Sequence, residues 1–251
     1  MSDALRYGLT ALVILLTHFQ EGVTGFGCTV LALPFVTLLL GLNTAVPVLV
    51  LQGWLIALLI VIESRKKIVW SEFGKLLLLV GIGMPVGMWM SGAIPEMGLR
   101  WVLAVFMLGV GAQGLIKHLA PNVAGQDASP RTKAVASLFL PLGGIIHGAF
   151  GSGGPLIVIY AAKALTDKSL FRVTLCLLWA VLNTGLIVQW VVISKLDAHV
   201  MKIAGACLPF TLAGFFLGNH AHYRIDELAF RRVIYSVLTA SGIVLIWSLV
   251  S

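Results

Sequence analysis

Apolar residues run along this chain in long blocks, and polar residues collect in the short gaps between them. Three blocks are long in the first half: Thr44 to Ile62, Phe73 to Met90 and Leu99 to Ile116. Three more follow in the second: Leu170 to Ile193, Val200 to Leu217 and Leu228 to Val250. Each matches the length of helix that crosses about 30 Å of hydrocarbon. Two places differ. Leu5 to Phe19 and Cys28 to Leu40 are joined by Gln20-Glu21-Gly22-Val23-Thr24-Gly25-Phe26-Gly27. Ala134 to Ile146 and Leu156 to Leu165 are joined by His147-Gly148-Ala149-Phe150-Gly151-Ser152-Gly153-Gly154-Pro155. Thirteen helical residues reach about 20 Å and ten reach about 15 Å, so such arms do not span comfortably. The pattern predicts two hairpins that enter the membrane and turn back at glycine-rich tips.

The layout restarts after the polar stretch Lys117 to Lys133. An offset of 124 residues places Phe26-Gly27 on Phe150-Gly151, Ala45 on Ser169, Gly81 on Gly205 and Pro85 on Pro209. After a seven-residue shift, Leu99-Arg100 falls on Phe230-Arg231, and Gly109 and Gly111 fall on Ala240 and Gly242. A hairpin plus three spans per half puts the second half in the opposite orientation, the arrangement common in secondary transporters. The expected fold is an all-α polytopic membrane protein of two inverted repeats, with eight to ten membrane segments. Residues 1–120 form the first repeat, 121–133 a cytoplasmic linker and 134–251 the second repeat.

Composition sharpens this. Of 251 residues, 59% are hydrophobic and 11% charged. A soluble domain has nowhere to hide that much apolar surface. The net charge of +7 is no nucleic-acid footprint, because the charges sit between apolar runs. Thirteen basic residues, among them Arg65, Lys66, Lys67, Lys133 and Lys168, fall on one face, and Arg6, Arg100, Lys195 and Lys202 complete the seventeen on the other. The positive-inside rule makes the richer face cytoplasmic and both termini extracytoplasmic. The expected location is a bacterial-type inner membrane, with lipid as the surroundings and a second copy, in a homodimer, as the candidate protein partner. No removable signal peptide is expected, because no small-residue cleavage site follows the first run. Cys28, Cys176 and Cys207 lie in apolar runs without metal spacing and read as buried thiols. No metal or cofactor is expected.

Candidate chemistry sits at the tips. Gly25, Phe26 and Gly27 are expected to face Gly151, Ser152, Gly153 and Gly154. Helices starting near Cys28 and Pro155 aim positive N-termini between them. Unpaired N–H groups cost several kcal/mol in hydrocarbon, so an anion or water there is favoured. The same glycines also suit tight turns and close helix packing. Gln52 and Asn183 lie mid-span and either line a pathway or bond between helices. Glu21 and His147 flank the tips, as proton-coupling or gating groups or as groups wetted at a cavity mouth. Arg172, one turn into its helix, either neutralises an anion or snorkels to the interface. Gly83 with Gly87, and Gly214 with Gly218, are small-xxx-small packing patterns. Trp70, Trp101, Trp190 and Trp247 read as interfacial anchors.

At these tips the sequence resembles the sulfite exporter TauE/SafE family of permeases. The residues that carry the resemblance are Gly22-Val23-Thr24-Gly25-Phe26-Gly27, then Leu33-Pro34 and Leu40-Gly41-Leu42. In the second half they are His147 to Pro155, then Phe171-Arg172. The resemblance implies transport of small sulfur-containing or carboxylate anions, such as sulfite or organosulfonates. Two departures stand out: Gly27-Cys28-Thr29 where the family often has a longer glycine run, and five segments per half where the family has a four-span duplication.

The expected function is therefore a transporter, an exporter by preference, for a small sulfur oxyanion. A small-carboxylate permease is the alternative substrate class. An intramembrane serine hydrolase, with Ser152 as nucleophile and His147 as base, is the alternative chemistry. It lacks a full nucleophile elbow and an orienting carboxylate.

Overall fold

Apolar periodicity becomes helix throughout. The computed structural model describes residues 2–119, 130–221, 236, 239–240, 242–247 and 249–250, and among them there is no strand. The linker expected at 121–133 and the first part of the block from Leu228 lie largely outside the described residues. The helices are α1 (Asp3–Thr24), α2 (Cys28–Leu40), α3 (Leu42–Ser64), α4 (Trp70–Ala93), α5 (Glu96–Leu119), α6 (Pro130–Ser137), α7 (Phe139–Phe150), α8 (Gly154–Ala164), α9 (Lys168–Val192) and α10 (Ala198–Ala221). Six described helical stretches are long and apolar enough to cross a membrane; α2 and α8 are shorter apolar helices. Leu12, Leu16, Leu78, Ile82, Trp89, Val105 and Val188 stand exposed, as lipid-facing residues do. This is an all-α polytopic membrane protein.

Few acids are present, and several hold helix starts. Asp167 accepts from the Ser169 and Leu170 N–H groups at 2.8 and 2.9 Å to cap α9. Asp197 accepts from the Val200 N–H at 2.8 Å to cap α10. Glu96, from α5, accepts from the Leu42 N–H at 3.1 Å and so caps α3 from another element. These bonds satisfy donors that the helix itself leaves unpaired.

The hairpins correct one expectation. Three of the four arms are short, as expected: α2 has 13 residues, α7 has 12 and α8 has 11. Helix α1 has 22 residues and runs about 33 Å, long enough to cross. Its helical path continues through Gln20-Glu21-Gly22-Val23-Thr24, because nothing there breaks a helix until Gly25. Likewise 133–150 forms one apolar stretch of 18 residues, interrupted by a turn at Leu138.

Contacts recur in the two halves. Helix α1 packs on α10, α7 packs on α4, and α3 packs on α9. A side chain on Gly22 would run into the Phe215 carbonyl and the Asn219 N–H; one on Gly148 would run into the Met84 carbonyl and the Met88 N–H. Gly214 lies on the Leu15 carbonyl, and Gly83 on the Pro141 carbonyl. Gly111 meets Thr239 while Gly242 meets Leu108. In these pairs the hairpins correspond at an offset of 126 and the later helices at 131, not at 124. The buried set of α4 (Leu76, Val80, Gly83, Met84, Gly87) falls residue by residue on Cys207, Thr211, Gly214, Phe215 and Gly218 of α10. Gly81 and Gly205, matched at 124, have nothing within 4 Å. Seven residues are about two helical turns, so a slip of seven keeps the face and hides in a one-dimensional match.

Of the four tryptophans read as anchors, Trp70, Trp101 and Trp247 are exposed, but Trp190 is buried in the core. Its neighbour is Lys195, whose ammonium lies 5.7 Å from the indole centre.

Candidate functional site

The two tips are built alike. Gly25 ends α1 with φ 80°, and its N–H donates to the Glu21 carbonyl at 2.6 Å. Gly151 ends α7 with φ 61°, and its N–H donates to the His147 carbonyl at 2.7 Å. Left-handed backbone of this kind suits glycine, because a Cβ would crowd the following carbonyl. After each turn a short helix starts, with Gly27 and Gly153 as the N-cap residues and no side-chain cap on either. The Gln20 amide donates to the Phe26 carbonyl at 2.7 Å and holds the first turn closed.

The tips meet. One cavity of about 30 Å³ is lined by Glu21, Gly27, Cys28, Thr29, Val30 and Gly53 from the first half and His147, Gly151, Ser152, Gly154, Trp179 and Asn183 from the second. Gly27 to Val30 is the whole first turn of α2. Its N–H groups precede the first intrahelical bond, Leu31 N–H to the Gly27 carbonyl at 3.1 Å. Helix α8 brings Gly154, and the next residue, Pro155, has no N–H to satisfy. The Ser152 hydroxyl is buried without a hydrogen-bond partner. The cavity holds roughly two waters, at about 10–15 Å³ each by the same measure.

Seven of the residues read from sequence converge here: Gly27, Gly151, Ser152, Gly154, Glu21, His147 and Asn183. The other five do not line the cavity. Gly25 lies behind the turn, against the aliphatic part of Arg172. Phe26 meets Phe171 edge-to-face at 5.9 Å. Gly153 packs against the Gly143 carbonyl, and Gln52 donates to the Ala204 carbonyl at 2.6 Å, tying α3 to α10. Arg172 rests 6.0 Å from the Phe215 ring centre, with Nε and Nη2 buried and unpaired, and its charge acts on Glu21.

His147 Nε2 lies 3.0 Å from the Asn183 amide oxygen and donates to it, and the imidazole stacks on Trp179 at 5.6 Å. Ser152 and His147 share no hydrogen bond, so the pairing a serine hydrolase needs is not formed. Sequence reading passed over Cys28, Thr29, Val30, Gly53 and Trp179 as cavity residues. Cys28 and Thr29 carried a positional signal, since they directly follow a tip glycine. Gly53 and Trp179 carried none, because they come from α3 and α9 and reach the site only by packing.

The protein-family comparison matches residues 10–245 to the model described as Sulfite exporter TauE/SafE. The chain belongs to that family. Among curated proteins, the probable inner membrane transporter protein TsaS of Comamonas testosteroni is 24% identical over 183 residues, which cover 71% of this chain and 72% of that protein. No solved structure matches. The TauE/SafE chain described here is thus an integral membrane transporter, and its family is one of transporters rather than enzymes.

Proposed function

We propose that this TauE/SafE protein exports small sulfur-containing oxyanions, such as sulfite or organosulfonates, and binds them between its two glycine tips. The observation that carries the reading is the shared cavity. The uncapped first turn of α2 and the unpartnered Ser152 hydroxyl open onto the same space. Such a helix start attracts an anion through its free N–H groups and its dipole. The cavity holds only about two waters, and sulfite has four heavy atoms, so admitting one requires the tips to part. Glu21 and His147, at matching places beneath the two tips, are the groups we assign to gating or proton coupling.

The halves are inverted in this reading, and the basic loops lie in the cytoplasm. Arg65, Lys66 and Lys67 are exposed in the turn after α3, and Lys168 is exposed at the start of α9. Both termini then face away from the cytoplasm. Direction follows from the membrane potential. An inside-negative 100 mV favours efflux by about 2.3 kcal/mol per negative charge, so a dianion gains about 4.6 kcal/mol on leaving. Export needs no partner ion.

Purified protein in liposomes with labelled sulfite and an imposed potential tests this. Flux should rise when the sulfite-loaded side is made negative. Absent or potential-independent flux of all small sulfur oxyanions would end the reading.

A further inference from the structure

The cavity proposed for an anion has an odd wall. No lysine or arginine lines it, and Glu21 does. Behind Glu21 stands His18, one helical turn earlier on the same face of α1, with Nε2 3.9 Å from the Glu21 Oε2. His18 is fully buried, and its Nδ1 lies 2.8 Å from the Ile14 carbonyl. A carbonyl only accepts, so Nδ1 carries the proton and Nε2 presents a lone pair. That lone pair and the Glu21 Oε2 are both buried without a hydrogen-bond partner. The imidazole lone pair and the carboxyl oxygen therefore face each other across a gap with no hydrogen bond between them. The Cys28 sulfur completes the group: the three ligand atoms lie within 4.8 Å of one another.

We propose that His18, Glu21 and Cys28 bind a divalent metal ion of the zinc class. Nitrogen, oxygen and sulfur ligands together suit zinc, at about 2.0–2.3 Å each. Closing from the observed spacing requires roughly 1 Å of contraction, within reach of the Glu21 and Cys28 side chains. Binding releases the Cys28 thiol proton, and the Glu21 proton wherever that acid is neutral. The loaded group then holds one dication, one thiolate, one carboxylate and one neutral imidazole. The ion and its three ligands sum to zero charge, beside the one positive charge of Arg172 that already acts on Glu21, so the group is tolerated inside a membrane where a lone ion is not. Three protein ligands leave a fourth position free, and Glu21 and Cys28 already border the cavity. The carbonyl bond to Nδ1 is the kind of outer contact that fixes a metal-binding imidazole.

The fold does not require these side chains. At the hairpin offset of 126, His18 corresponds to Gly144, Glu21 to His147 and Cys28 to Gly154. The second tip forms the same turn with glycine at two of the three places. The inference goes beyond the transport reading and holds whether or not an anion binds, because metal is titrated in the absence of any substrate.

Detergent-purified full-length protein, stripped with chelator, is titrated with Zn²⁺ and with Co²⁺. One ion per chain should bind with proton release, and Co²⁺ should give a thiolate charge-transfer band in the near ultraviolet. Cys28→Ser should abolish the band, and His18→Gln, which removes a direct ligand, should weaken binding by more than the roughly 10–100-fold that loss of an outer-shell contact costs. The Cys176→Ser, Cys207→Ser double variant keeps only the Cys28 thiol and should retain the band in full. Failure of the native protein to take up one ion, a band that survives Cys28→Ser, or a band lost from the double variant while that protein stays folded would each overturn the proposal. The native titration decides even if the site variants fail to fold.

Discussion

Glu21 and His147 occupy the same place in two tips: each carbonyl receives the N–H of the left-handed glycine four residues on, Gly25 at 2.6 Å and Gly151 at 2.7 Å. The backbone role is identical and the side chains differ. Glu21 joins a cluster with His18 and Cys28, whereas His147 is held by Asn183 and stacked on Trp179. A shared turn thus carries two different chemistries to one cavity.

The turns should tolerate no side chain. Gly25→Ala and Gly151→Ala each force left-handed backbone at about 1–2 kcal/mol. Each also drives a Cβ into a neighbour, Arg172 at one tip and Val50 at the other. Both variants should melt lower than native in detergent, while Gly205→Ala, with nothing within 4 Å, should melt at or slightly above native.

The helix crossings should respond in matched pairs. Gly87→Val pushes into the Ile145 carbonyl and separates α4 from α7; Gly218→Val pushes into the Phe19 carbonyl and separates α10 from α1. Both should reduce the yield of folded, monodisperse protein to a similar degree. Size-exclusion chromatography of the two variants beside Gly81→Val, whose Cβ has nothing within 4 Å, is the measurement.

Ser152→Ala should separate binding from folding. The hydroxyl has no protein partner, so its removal leaves the fold intact. A hydrogen bond to a charged ligand contributes about 1.5–3 kcal/mol, so anion affinity should fall roughly 10–100-fold. A melting-temperature shift with added sulfite in the native protein, lost in the variant at unchanged basal melting temperature, is the expected result.

Asn183→Leu should cost stability and loosen the second tip. It removes the bond to His147 Nε2 and leaves that donor buried. Loss of an interhelical polar contact of this kind is about 0.6–2 kcal/mol. Faster hydrogen exchange at Gly148 to Ser152, with the first tip unchanged, checks it.

Several features of the chain were legible from residue order alone. Blocks of apolar residues fix helices and a membrane setting, because no other environment accepts them. Cys28 to Leu40 was bounded correctly, since a positive-φ glycine flanks each end, Gly27 before it and Gly41 after it. The tip glycines announced turns, at Gly25 and at Gly151. The family resemblance rested on those same residues.

Packing decided the rest. The true register of the halves, 126 then 131, comes from which glycine lies on which carbonyl, and a helix shifted by two turns looks the same to its own sequence. The length of α1 was set by continued helical bonding through Glu21, not by its apolar run. Neither the cavity partners Gly53 and Trp179 nor the approach of His18 to Cys28 has a signal in residue order. Residue order dictates helical segments, their turn glycines and a preference for lipid, because those follow from local backbone freedom and hydration. Which side chains share a space was decided only by the tertiary structure, because that depends on contacts between residues far apart in the chain.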